Sequence, residues 1–210
     1  MEIRAENLSK RFNYEWIFRD FSFVFKADHT YAITGPNGSG KSTLLQVLWQ
    51  QVPPTSGTVT YLNNETIETE NIHQWISIAT PYLDLIDEFT LREMVDFHVK
   101  LKKTESSAST DDILKGMELE HAADKAIQFF SSGMRQRVKL GLAFFTKSSV
   151  LFLDEPTTNL DAPSLQWYQT NLRRYSPGKI VFIASNQTDE YPPTAEIIDI
   201  RQYKKVTSKA

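Results

Sequence analysis

Residues 35–43 read GPNGSGKST, between the apolar stretch Tyr31-Ala32-Ile33-Thr34 and the apolar-periodic segment Leu44-Leu45-Gln46-Val47-Leu48. Strand, glycine-rich loop and helix in that order are what a P-loop requires. Gly35, Gly38 and Gly40 permit backbone angles that a Cβ forbids, so successive N–H groups can converge on phosphate oxygens at the positive end of the following helix. Lys41 is then placed for the β- and γ-phosphates of a nucleotide, and Ser42 offers a hydroxyl to Mg²⁺. Pro36, Asn37, Ser39 and Thr43 complete the candidate binding loop.

With 210 residues the chain can bury a real core, as one large domain or as a core domain with a small appended subdomain. It contains no Cys, so nothing depends on redox compartment, and Met1-Glu2-Ile3-Arg4 does not open a secretory leader. A cytoplasmic location is the expectation. Its apolar runs, such as Leu142-Ala143-Phe144-Phe145 and Val150-Leu151-Phe152-Leu153, are far short of the roughly 20 residues that span a bilayer, so any membrane role is expected to be peripheral. A net charge of -3 argues against a general electrostatic grip on nucleic acid. The basic tail Arg201 to Lys209 is expected to be a solvated end.

Short apolar runs at Tyr31 to Thr34, Ile76 to Ala79, Val150 to Leu153 and Ile180 to Ala184, separated by helical periodicity, predict an α/β domain with a mostly parallel central sheet. Ile3 to Leu8, Phe21 to Phe25 and Thr58 to Leu62 alternate apolar and polar residues and predict a smaller antiparallel β subdomain. Leu91, Met94, Val95, Phe97 and Leu101 recur at helical spacing, and roughly 82–135 reads as an inserted helical subdomain within a single 1–210 unit. The polar stretch Lys102 to Asp112 is expected to be its most mobile loop.

Val150-Leu151-Phe152-Leu153-Asp154-Glu155 is a buried-strand pattern ending in two carboxylates, delivered to the sheet edge where the P-loop also lies. Asp154 is the candidate Mg²⁺ residue, and Glu155 the candidate acceptor of a proton from attacking water. Upstream stands Phe130-Ser131-Ser132-Gly133-Met134-Arg135-Gln136-Arg137. Ser131 can cap a helix running from Gly133 toward Phe145 and leave its positive end facing outward; read alone, SSG before a helix is an ordinary N-cap.

With these motifs in order, nearly the whole chain resembles the nucleotide-binding subunit of an ABC transporter, a P-loop NTPase. FSSGM at 130–134 stands where that family carries LSGGQ, and Thr158-Asn159-Leu160-Asp161 resembles its D-loop. The resemblance implies ATP and Mg²⁺ as ligands. It implies a dimer in which Ser131 and Gly133 of one copy face the γ-phosphate held by the other, beneath transmembrane subunits at the inner face of the membrane. It places an adenine-stacking aromatic at Phe12, with Tyr14 and Trp16 as alternatives. Near the expected docking cleft for a short membrane-subunit helix lie Tyr82, Leu83, Leu85, Ile86 and Phe89, which read equally as docking patch or as core.

The chain departs from the family pattern in three places. Pro81 stands near the place of the Q-loop glutamine and has neither amide side chain nor N–H. Asn186 stands where the switch histidine falls; it can donate a hydrogen bond to a phosphate oxygen but cannot relay a proton. Ser132 and Met134 alter the signature loop. With Lys41, Ser42, Asp154 and Glu155 retained, a slow ATPase is expected. Runner-up readings are a soluble ABC-type switch without transport and a weakly hydrolysing nucleotide sensor.

Overall fold

A computed structural model describes residues 1–105 and 108–204. In chain order the elements are β1 (Glu2–Phe12), β2 (Glu15–Lys26), β3 (His29–Thr34), α1 (Lys41–Leu48), β4 (Ser56–Asn63), β5 (Glu65–Ile67), β6 (Ile76–Ala79), α2 (Leu91–Leu101), α3 (Thr110–Gly116), α4 (Ser132–Phe145), β7 (Val150–Asp154), α5 (Ala162–Tyr175), β8 (Ile180–Ala184) and β9 (Glu196–Asp199).

The central sheet has the order β6-β7-β8-β3-β9, and all its pairings are parallel. Every residue of β7 and β8 is buried, which is why those strands read as unbroken apolar runs. The second sheet, β2-β1-β4-β5, is antiparallel. Its residues Ile3, Leu8, Phe18, Phe21, Phe25 and Tyr61 are fully buried, register shifts between Ala5 and Lys10 resetting the alternation along β1 and β2. The predicted strands 76–79 and 180–184 coincide with β6 and β8 and the others lie inside longer strands, whereas the edge strands β5 and β9 were not among the predicted strands.

A row of rings ties the layers together. Phe25 lies 4.9 Å from Tyr31 and 4.7 Å from Phe182; Phe182 stacks on Phe152 at 4.7 Å; Trp49, just past α1, meets Phe152 edge-on at 5.3 Å. The helix behind the candidate phosphate loop is therefore fixed against both sheets.

The helices between 91 and 145 bury a separate cluster that includes Leu91, Val95, Ile113, Met117, Val138 and Leu142. α2 begins with a capping box, Thr90 and Glu93 exchanging side-chain and backbone hydrogen bonds. α4 faces two ways: Val138 and Leu142 enter that cluster, while Leu140, Ala143 and Phe144 pack with Leu151, Trp167 and Tyr168. Position 135 falls inside this continuous helix. Within the polar stretch 102–112, Ser106 and Ser107 lie outside the described residues. In the tail, Arg201, Gln202 and Lys204 are exposed as expected, whereas Tyr203 packs its ring 4.7 Å from Phe21; residues 205–210 lie outside the described part.

Candidate functional site: a phosphate cradle facing two carboxylates

β3 feeds directly into the glycine loop, and α1 starts from Gly40 at φ 107°. A Cβ at Gly40 would stand 2.4 Å from Ile17 Cγ2, so the residue there must be glycine on both conformational and steric grounds. α1 has no side-chain cap and no acidic residue in its first turn, which leaves its positive end open to an anion. Ser39 N–H donates to the Pro36 carbonyl at 3.0 Å, and the buried Lys41 ammonium donates to the Gly35 carbonyl at 2.8 Å, drawing the loop around itself. The Ser39 hydroxyl is buried without a hydrogen-bond partner.

A cavity of about 400 Å³ opens over the loop, lined by Asn37, Gly38, Gly40, Lys41, Ser42 and Thr43, together with Ile17, Tyr82 and Glu155 from elsewhere in the chain. Asp154 ends β7 buried, and its Oδ1 has no hydrogen-bond partner. Desolvation pushes its carboxyl up to about 6; the Ser42 hydroxyl and the Lys41 charge pull it down, while Glu155 and Glu190 push it further up. An orphaned carboxylate oxygen beside a serine hydroxyl suits a hard cation that takes its remaining ligands from phosphate and water, so the residues fit Mg²⁺. Glu155 follows at φ 44°, a left-handed conformation unusual for a side chain with a Cβ, its N–H donating to the Ala184 carbonyl at 2.9 Å.

Asn186, just past β8, is bonded to the loop itself: its Oδ1 accepts the Gly35 N–H at 3.1 Å and its Nδ2 donates to Asn37 Oδ1 at 3.3 Å. The segment after Glu155 is held by Glu190, whose carboxylate accepts from both the N–H and the hydroxyl of Thr157. Glu190 is buried, and desolvation raises its carboxyl above the usual range. α4 begins at Ser131, whose hydroxyl accepts the Met134 N–H at 3.2 Å, and its first turn contains no acidic residue. Gly133 lies against the Asn159 carbonyl, where an added Cβ would stand at 3.0 Å.

The structure thus brings Asn37, Gly38, Gly40, Lys41, Ser42, Thr43 and Glu155 to one cavity, with Asp154 beneath and Asn186 beside. Gly35, Pro36 and Ser39 of the loop, and Ser131, Gly133 and Phe12, do not line it. Phe12 is half-exposed at the end of the β1–β2 hairpin, with the Lys10 ammonium 4.8 Å from its ring centre. Of the candidate docking residues, Tyr82 joins the phosphate cavity, whereas Leu83 and Leu85 line a separate apolar cleft of about 280 Å³ with Met94, His98 and Leu142. Ile17 and Glu190 escaped the sequence reading because neither lies in a motif, and Tyr82, read as part of a docking patch, was not assigned to this cavity; each arrives from a distant segment.

The fold and this cradle define a P-loop nucleotide-binding domain. The sequence profile of the ABC transporter family matches residues 18–158. The chain belongs to the ABC transporter family and carries its ATP-binding domain. It is 30% identical over 195 residues to an ABC transporter ATP-binding protein, YybJ, of Bacillus subtilis (strain 168), covering 90% of this chain and 87% of the relative. It is also 30% identical over 194 residues to the Nod factor export ATP-binding protein I of Burkholderia lata, covering 90% of this chain and 64% of that one. Other relatives are longer, and the chain spans 66% of one and 4% of another. The solved structure of a putative ABC transporter ATP-binding protein from Pyrococcus furiosus shares the fold, with a TM-score of 0.82 at 18% identity over 98% of this chain and 100% of that one.

Proposed function

We propose that this chain is the ATP-hydrolysing subunit of a transporter, a single nucleotide-binding domain over 1–210 with a helical subdomain at 82–135, working as a dimer beneath separate membrane-spanning subunits. One observation carries the reading: Glu155 reaches the same cavity as Lys41 and Ser42, with buried Asp154 directly before it. The loop N–H groups and Lys41 bind the phosphates, Phe12 serves the adenine, and Glu155 orients water and accepts its proton as the γ-phosphoryl group leaves ADP. Ser42 and Asp154 would hold Mg²⁺, which would neutralise charge on the phosphate oxygens.

The exposed, uncapped-by-carboxylate end of α4 at Ser131 and Gly133 lies off this cavity, which supports its use on the nucleotide of a second copy. The apolar cleft of Leu83, Leu85 and Met94 supports docking of a short helix from a membrane subunit. Among the described residues no helix is long and apolar enough to cross a membrane, and we place the chain in the cytoplasm, peripheral to the membrane's inner face. With Pro81 and Asn186 at two helper positions, turnover is slow. Steady-state phosphate release tests the reading: a Glu155→Gln chain that turns over as fast as its parent overturns it.

A further inference from the structure

The turn between β6 and α2 sends one unassigned side chain into the nucleotide cavity. Tyr82 is 75% exposed, and it shares the cavity wall with Lys41, Ser42 and Glu155. A ring so open is not held there by packing, and its phenolic O–H can donate to an anion. What fixes it is the turn. The Tyr82 N–H donates to Thr80 Oγ1 at 3.1 Å, and the Leu83 N–H to the Thr80 carbonyl at 3.3 Å. From α4, the buried Lys139 ammonium donates to the Pro81 carbonyl at 2.8 Å and to the Thr80 carbonyl at 3.4 Å. A lysine withdrawn from water to bind two consecutive carbonyls of one turn holds that turn at a fixed height over α4.

We propose that Tyr82 is a positioning residue of the nucleotide site: its hydroxyl hydrogen-bonds the terminal phosphate, and Lys139 holds the turn that aims it. The proposal rests on the reading of the cavity as the ATP site. The wall it shares with Glu155, the group that handles the attacking water, is what selects the terminal phosphate as its target. Because Lys139 belongs to α4, the helix whose far end begins at Ser131, displacement of that helix moves the tyrosine.

The test is calorimetric titration of the full chain with Mg·ATP and with Mg·ADP, in a Glu155→Gln background that preserves ATP. Tyr82→Phe keeps the ring and is expected to weaken ATP binding about tenfold, as loss of a hydrogen bond to a charged group does, with ADP binding changed less than twofold. Lys139→Met is expected to show the same selective loss, and the double variant to be no worse than either single one. Equal effects on ATP and ADP, or no effect on either, overturn the role of the hydroxyl; additive losses overturn the role of Lys139. Lys41→Ala separates this proposal from the reading beneath it. If that variant also binds ATP normally, the cavity assignment itself fails; if it alone loses ATP while Tyr82→Phe does not, only the tyrosine proposal fails.

Discussion

Asn186 and Gly35 are joined by a 3.1 Å hydrogen bond from the glycine N–H to the asparagine Oδ1, so the segment just past β8 sets the height of the phosphate loop at the end of the adjacent β3. Asn186→Ala removes the acceptor and leaves that N–H unpaired. The expected cost is about 1 kcal/mol. Thermal unfolding of the nucleotide-free chain then moves down by about 2–4 °C. An unchanged melting temperature contradicts the brace.

Lys41→Ala deletes the charge at the centre of the cradle. ATP affinity is expected to fall at least about tenfold by calorimetry, since charge-assisted hydrogen bonds to phosphate are the strong ones. Unchanged binding contradicts the cradle.

Glu155→Gln keeps shape and removes the carboxylate proposed to accept the proton. Phosphate release is expected to fall about 10²- to 10⁴-fold with ATP binding retained. In gel filtration the ATP-loaded variant is expected to run as a dimer. Ser132→Asp, which adds a carboxylate to the first turn of α4, is expected to leave the monomer folded, because that end of a helix favours negative charge, while abolishing the dimer by repelling phosphate. A dimer formed equally well by both chains would remove α4 from the interface.

Asp154 links stability to pH. Its carboxyl is raised from an ordinary 3.8 to about 6, chiefly by desolvation. A folded-state value above the unfolded one means that this group favours folding below about pH 4 and that the contribution is lost as pH rises through 6, a change of roughly 2–3 kcal/mol. Asp154→Asn is therefore expected to raise the melting temperature of the nucleotide-free chain at pH 7.5 by about 5 °C, to reduce its loss of stability between about pH 4 and 6, and to weaken Mg·ATP binding. A lower melting temperature at pH 7.5 would show that the buried carboxylate is not a liability.

The parts of this site that are contiguous in sequence were legible there. Residues 35–43 carry their own turn chemistry, and Asp154-Glu155 are announced by the apolar strand before them. The parallel core was readable for the same reason, because strands buried on both faces are made almost entirely of apolar residues, with Asp154 the exception at the end of β7. What escaped was long-range. Tyr82 looked like one apolar residue among five in a docking patch, and only the turn over Lys139 separates it from Leu83. Glu190 sits in the polar run TDEYPP with nothing to distinguish it from a surface acid, yet it is buried against Thr157. Asn186 was placed at the right strand end, but its bonds to Gly35 and Asn37 depend on the register of β3 beside β8.

The ring row from Tyr31 through Phe25, Phe182 and Phe152 to Trp49 has a mechanical meaning. Close-packed aromatics do not slide past one another cheaply, so the two sheets and the helix behind the cradle travel as one stiff body. Any rocking that follows loss of the γ-phosphate must then be taken up elsewhere, where α4 bridges the two apolar clusters and the Lys139 tether crosses to the Tyr82 turn.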